Sequence, residues 1–382
     1  MIKRMNYRNA LPFFPEEDIN NILLEVKSML SGEGFLTKGP KVKAFEKAYA
    51  VYTGTKYGIS TNSCTTALEI VLKSIGIGCG DEVIVPTQTF VATGSSVVTV
   101  GGTVVFCDSD ENFLFDFDDL KRRITPRTKA VIIVHFAGLI HPDIWSIKAY
   151  LKERNIYLIE DCAHSNGADI DGKMCGSIGD VGCHSFFSTK IMTTGEGGMI
   201  TTSDDQLFEL CSSIRSIGID ITAEVEIFNR IGSNNRMAEY ESILGLSQLN
   251  RLEEFVAHRI KVATIYREEL NSLVEEGNIR FQFVPDNVRH PYWKFIVFLT
   301  SNELTREELK TRLLGSGLSV DAPYAPLMHL QPIFRTLNKS MEGDMPQAEA
   351  LVKTHFCLPI HMKISEEDAR DIAQILKQAF ER

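Results

Sequence analysis

A chain of 382 residues is longer than one ordinary core fills, so two structural units are expected. Its 44% hydrophobic and 24% charged residues match a folded globular protein and exclude a disordered or fibrous one. A formal net charge of -10 argues against a nucleic-acid partner, whose phosphates demand clustered Lys and Arg, but it leaves room for a small anionic ligand in one local basic pocket.

The opening residues, MIKRMNYRNALPFF, lack the apolar centre and small-residue cleavage site of a signal peptide. The longest uncharged run near the middle, AVIIVHFAGLI from Ala130, is too short to span a bilayer and contains His135. A cytoplasmic protein with no membrane partner is expected. Eight cysteines (64, 79, 107, 162, 175, 183, 211 and 357) are scattered without a Cys-x-x-Cys pair, which suggests reduced core thiols rather than a disulfide framework or a zinc site.

From about residue 55 to 218, strand-length apolar runs alternate with helix-length amphipathic ones. The strands read as DEVIVP (81–86), TVVFCD (103–108), AVIIVH (130–135), IYLIED (156–161), CHSFF (183–187) and GMITT (198–202). Between them lie TTALEIVLKSIG, FVATGSSVVTVG, PDIWSIKAYLKERN and DQLFELCSSIRSIG. Continuous apolar strands with helical crossovers predict an α/β unit, a mostly parallel sheet flanked by helices on both faces. After Leu249 the pattern changes to a long helix, then IRFQF, PYWKFIVFLT, a helix at REELKTRLLGSG, the strand-like LSVDAPYA and a closing helix at EEDARDIAQILKQAF. The division expected is a large α/β domain over 1–250 and a smaller α+β domain over 251–382, joined by the long helix.

The glycines at 76–80 do not make a dinucleotide fingerprint, because a helix precedes them and a strand follows, the reverse of what that fingerprint needs. STNSCTTALEIVLKSIG crowds Ser63, Thr65 and Thr66 at a helix start. One hydroxyl suffices for a cap; several beside free helix-terminal N–H groups also suit a phosphate. IYLIEDCAHSNGA ends a strand on Glu160-Asp161, followed by His164, where open α/β sheets bind ligands. Such a carboxylate either caps the next turn or pairs with a protonated ring nitrogen. Lys190 follows the strand CHSFF and precedes the glycine turn TTGEGG. It is either a solvated surface lysine or an amine whose pKa is lowered for covalent chemistry. Together, a phosphate cradle, a strand-end acid and a strand-end lysine in that order fit pyridoxal 5'-phosphate.

At this point the sequence resembles the DegT/DnrJ/StrS family of sugar aminotransferases with fold type I. The resemblance is carried by GPKVKAFEKAYAVYTGTKYGISTNSCTTAL (39–68), GCGDEVIVPTQTFVAT (78–93), IEDCAHSNGA (159–168), SFFSTKIMTTGEGGMITT (185–202), NNRMAEYESILGLSQLNRL (234–252) and PIHMKISEED. It implies that Lys190 is the Schiff-base lysine and general base, that Asp161 pairs with the pyridinium nitrogen, and that Phe90 stacks on the cofactor with His164 beside the ring. Thr65 and Thr66, with Ser63 and Ser185, are implied as phosphate contacts. Asn234 is implied to reach the phosphate of a neighbouring subunit, giving a homodimer with composite sites. The implied reaction moves an amino group, from L-glutamate first of all, onto a nucleotide-linked keto sugar.

Three positions depart from the family pattern: Asn235 replaces an aromatic residue, Met328 is inserted before His329, and Cys162 stands for a common alanine. Asn235, Arg236 and His329 are expected near substrate, so these departures keep a small phosphorylated ketone or an acid sugar in play as acceptor. A dehydratase of the same family would carry histidine at position 190, and a non-catalytic regulator would not need Lys190, Asp161, Phe90 and Ser185 together.

Overall fold

A computed structural model describes residues 7–301 and 304–381. Among the described residues, nine strands precede residue 203: β1 (Tyr57–Thr61), β2 (Glu82–Pro86), β3 (Thr103–Cys107), β4 (Thr128–Val134), β5 (Tyr157–Asp161), the short β6 (Asp169–Ile170) and β7 (Lys173–Met174), β8 (Val181–Ser185) and β9 (Gly198–Thr202). Seven of them form one sheet in the order β1-β9-β8-β5-β4-β2-β3. The pairs β2–β3, β2–β4, β4–β5 and β5–β8 are parallel, whereas β9 runs antiparallel to both β1 and β8. The sheet is therefore mostly parallel, as expected. The reversal at β9 has a local cause: the 186–197 connection contains no helix, and a parallel return needs a longer crossover.

Both faces of the sheet are buried. Val83, Val85, Ile132 and Ile159 pack into one apolar cluster with the Cys64–Ser74 helix, while Ile84, Val131, Ile133 and Leu158 pack into a second on the opposite face. Consecutive strand residues point to opposite faces, so two buried faces require the unbroken apolar runs seen in the sequence.

After the long helix Glu239–Glu269, β10 (Ile279–Phe281), β12 (Phe295–Leu299) and β13 (His355–Leu358) form a small antiparallel sheet. β11 (Val288–Arg289) instead pairs with β6, tying the C-terminal half back to the first. The long helix runs across position 250. Its Leu252, Phe255 and Val256 pack with Phe45, Tyr49 and Phe186, and its Val262, Ala263, Ile265 and Tyr266 pack with the small sheet and the Glu366–Phe380 helix.

The strand-like LSVDAPYA is not a strand; only bridges at Leu318 and Asp321 form there. Pro323 and Pro326 carry no N–H for a ladder, and Tyr324 adopts φ 61°. No helix among the described residues is long and apolar enough to cross a membrane.

Candidate active site

β5 and β8 end on the same side of the sheet as the start of the Cys64–Ser74 helix, and the space between them is a cavity of about 430 Å³. Ser63, Thr65, Phe90, Asp161, His164, Ser185 and Lys190 all line it.

At the end of β5, strand alternation separates two adjacent carboxylates. Glu160 turns away from the cavity, where it meets His135 Nε2 at 2.9 Å and accepts N–H groups from Gly176, Ile178 and Gly179. Its role is to hold that loop. Asp161, 4% exposed, turns into the cavity, its Oδ2 accepting the Thr93 hydroxyl at 2.9 Å and its Oδ1 the Ala163 N–H at 3.1 Å. Burial pushes its pKa above the usual carboxylate range, against the pull of those hydrogen bonds and of Lys190. A cation facing it would favour its ionised form.

Ser63 caps the helix: its Oγ accepts the Thr66 N–H at 3.2 Å and its carbonyl accepts the Ala67 N–H. The N–H groups of Cys64 and Thr65 are left without a protein acceptor among the described residues, at the positive end of the helix. Thr66 sits on the same turn but does not line the cavity; its hydroxyl donates to Asn62 Oδ1 at 2.6 Å. A Cβ at Gly198 would stand 2.5 Å from the Ser63 carbonyl carbon. Gly198 thus lets β9 pass directly against the capping turn.

β8 ends at Ser185, two residues earlier than expected. Phe186 goes into the core against Phe45 and Tyr49, Phe187 faces the cavity, and a turn closed by the Lys190 N–H on the Phe187 carbonyl (2.9 Å) delivers the lysine. Lys190 Nζ lies 4.3 Å from the centre of the Trp293 ring. Lys190 retains some accessible surface, but the surrounding protein favours the uncharged amine and, with repulsion from Lys294, pulls its pKa down to about 8 against the attraction of Asp161. His164 stacks flat on Trp293, with ring centres 3.8 Å apart, and its Nε2 meets the Tyr324 hydroxyl at 2.8 Å. Phe90 remains 54% exposed at the start of the Val91–Thr99 helix, its ring free to cover a ligand.

Four anticipated residues lie elsewhere. Asn234 is exposed and outside this cavity. Asn235 is tied by its backbone to Asn62 and Arg215. Arg236 lines a separate cavity of about 310 Å³ with Lys38, Lys43 and Arg215, and its Nε and Nη1 have no partner among the described residues. His329 is fully buried between Thr87 Oγ1 (2.5 Å) and Glu349 Oε1 (3.1 Å), and the inserted Met328 packs in the core. Met328 therefore bears on packing rather than on the cavity. Conversely, Thr93, Trp293 and Tyr324 join the site without being anticipated. Thr93 lies within the quoted TQTFVAT, three residues after Phe90; Trp293 and Tyr324 arrive from beyond residue 290 with no local motif.

The sequence profile of the DegT/DnrJ/EryC1/StrS aminotransferase family matches residues 16–377. A GDP-perosamine synthase of Caulobacter vibrioides is 38% identical over 345 residues, covering 90% of this chain and 91% of that protein. Among solved structures, the aminotransferase from Psychrobacter cryohalolentis superposes with a TM-score of 0.92 at 29% identity, covering 98% of this chain and 99% of the other. The PLP form of Spr1654 from Streptococcus pneumoniae superposes with a TM-score of 0.88 at 26% identity, covering 99% of each chain.

Proposed function

The chain belongs to the DegT/DnrJ/EryC1/StrS aminotransferase family, and on that premise we propose that it uses pyridoxal 5'-phosphate to move an amino group from an amino acid, L-glutamate first of all, onto a nucleotide-linked keto sugar. The observation that carries this reading is one cavity lined by an unsatisfied helix start, a buried carboxylate and an amine with a lowered pKa.

Those residues fit the cofactor. The free N–H groups of Cys64 and Thr65, with the Ser63, Thr65 and Ser185 hydroxyls, suit its phosphate. Asp161 suits its ring nitrogen, since a buried anion stabilises a proton there. Phe90 suits its face. When bound, pyridoxal phosphate supplies an aldehyde for the amine and an electron sink for a carbanion. Lys190 Nζ, uncharged in a useful fraction at neutral pH, would take a proton from the donor carbon and hold it for delivery to a different carbon, since returning it to the donor carbon would transfer no amine. Thr93 and Ala163 hold the Asp161 carboxylate in place while that proton moves.

A homodimer with composite sites is part of this proposal. Asn234 stands exposed outside its own chain's cavity, and Leu23, Leu24, Phe35 and Leu36 are each more than half exposed. Eight unpaired thiols, seven of them buried, support a reducing cytoplasmic setting. The nucleotide-linked acceptor draws support from the relative named for a GDP-linked product. Asn235, where an aromatic residue is usual, motivates the second reading, a keto substrate without a nucleotide. The enzyme, loaded with cofactor and exhausted with L-glutamate, is to be challenged with a panel of keto compounds while its absorbance is followed. Recovery with nucleotide-linked keto sugars is expected; recovery only with small phosphorylated ketones or acid sugars overturns the acceptor assignment.

A further inference from the structure

His164 is 2% exposed and lines the cavity, yet its Nδ1 has no partner among the described residues. Its Nε2 meets the Tyr324 hydroxyl at 2.8 Å. The two rings lie within 11° of parallel with centres 5.8 Å apart, so they meet edge to edge, while Trp293 covers the imidazole face. Burial, reinforced by the positive charges of Lys190 and Lys294, holds the imidazole neutral. A neutral imidazole carries one N–H, and the partners of its nitrogens decide which one.

The Tyr324 phenol is likewise held neutral, by burial first and by Asp161 and Asp321 second. Its hydroxyl has no acceptor among the described residues other than His164 Nε2. If that hydroxyl donates to Nε2, its proton is satisfied and the imidazole proton must sit on Nδ1. The opposite arrangement strands both the phenolic proton and the Nδ1 lone pair inside the protein. Tyr324 also holds φ 61°, a conformation unfavourable for a bulky residue and found where a site requires it.

We propose that Tyr324 is a positioning residue that fixes His164 in the Nδ1–H tautomer, presenting a hydrogen-bond donor to an acceptor in the cavity. Resting on the pyridoxal phosphate reading, that acceptor is the ring oxygen of the cofactor. The C-terminal half of the chain thereby sets the donor that the first half offers, since Tyr324 and Trp293 both lie beyond residue 290.

The test is nitrogen-15 NMR of the cofactor-free protein labelled at histidine, with the His164 signals assigned by their loss in His164→Gln. The expected spectrum has the proton on Nδ1 in the wild type and moves towards the Nε2–H form that free imidazoles favour in Tyr324→Phe. In parallel, Tyr324→Phe should bind pyridoxal phosphate about five- to tenfold more weakly, the loss of one oriented hydrogen bond. A wild-type spectrum with the proton on Nε2 overturns the proposal whether or not the variant folds, and an unchanged Nδ1–H form in a folded Tyr324→Phe overturns the role of Tyr324. The expected spectra without cofactor binding would uphold the tautomer and overturn only the identity of the acceptor.

Discussion

Lys190 should titrate near pH 8 in the cofactor-free protein rather than at its ordinary 10.5. At pH 7 a pKa of about 8 leaves roughly a tenth of the amine uncharged, against about 0.03% for an unperturbed lysine, a gain of about 300-fold in nucleophile. The perturbation to apply is Asp161→Asn. Asp161 holds the ammonium in place electrostatically, so removing its charge should lower the midpoint further. Lys294→Met should raise it, because it removes a repelling cation and frees the Asp321 carboxylate it pairs with at 2.6 Å. The assay is competitive acetylation across pH with mass-spectrometric readout of the Lys190 peptide, using surface lysines as internal standards. A midpoint above 10, or one that rises in Asp161→Asn, refutes the reasoning. The sign extends to stability: the unfolded chain binds this proton more tightly between pH 8 and 10.5, so stability gains with rising pH in that window.

Asp161→Asn should also cost turnover about 100-fold or more while the thermal midpoint changes little, because the amide oxygen can still accept the Ala163 N–H while its NH2 donates to the Thr93 hydroxyl oxygen; steady-state kinetics beside a melting curve decide it. Gly198→Ala should destabilise the protein by ~2 kcal/mol, since its Cβ meets Ser63 backbone at 2.5 Å and the capping turn must give way, as denaturant titration would reveal. His329→Ala should lower stability by ~2 kcal/mol through the stranded Thr87 and Glu349 groups while leaving KM within about twofold; a large rise in KM would return His329 to the substrate site. Glu160 titrates below its ordinary value: burial opposes this, but the His135 contact and three N–H groups outweigh it. Its stabilisation is therefore present above the unfolded carboxylate pKa and lost as pH falls through the folded one, and Glu160→Gln should flatten that acid limb of a stability-versus-pH curve.

The parts of the fold visible in the sequence were those where burial leaves a pattern. GMITT, buried at every position, is a strand over its whole length, and EEDARDIAQILKQAF is likewise a helix from end to end. CHSFF overruns the end of its strand by two residues because Phe186 is as apolar as a strand residue but belongs to the next turn. LSVDAPYA is strand-like in composition but holds Pro323, with Pro326 directly after it, and neither can donate to a ladder. In the site, Lys190, Asp161, His164 and the Ser63–Thr65 turn were legible because each follows or precedes a regular element and carries a functional group the element does not need. Trp293 and Tyr324 were not, because their meaning lies in contacts with His164 and Lys190 more than a hundred residues away. Glu160 and Asp161 looked equivalent in sequence and are separated only by the pleat, which sends one to a structural loop and the other to the cavity.

The most direct measurement is borohydride reduction of the protein incubated with pyridoxal 5'-phosphate, followed by peptide mapping. A single stable adduct on Lys190, absent in Lys190→Ala together with all turnover, is the predicted result. Labelling spread over surface lysines, or turnover that survives Lys190→Ala, would contradict the account.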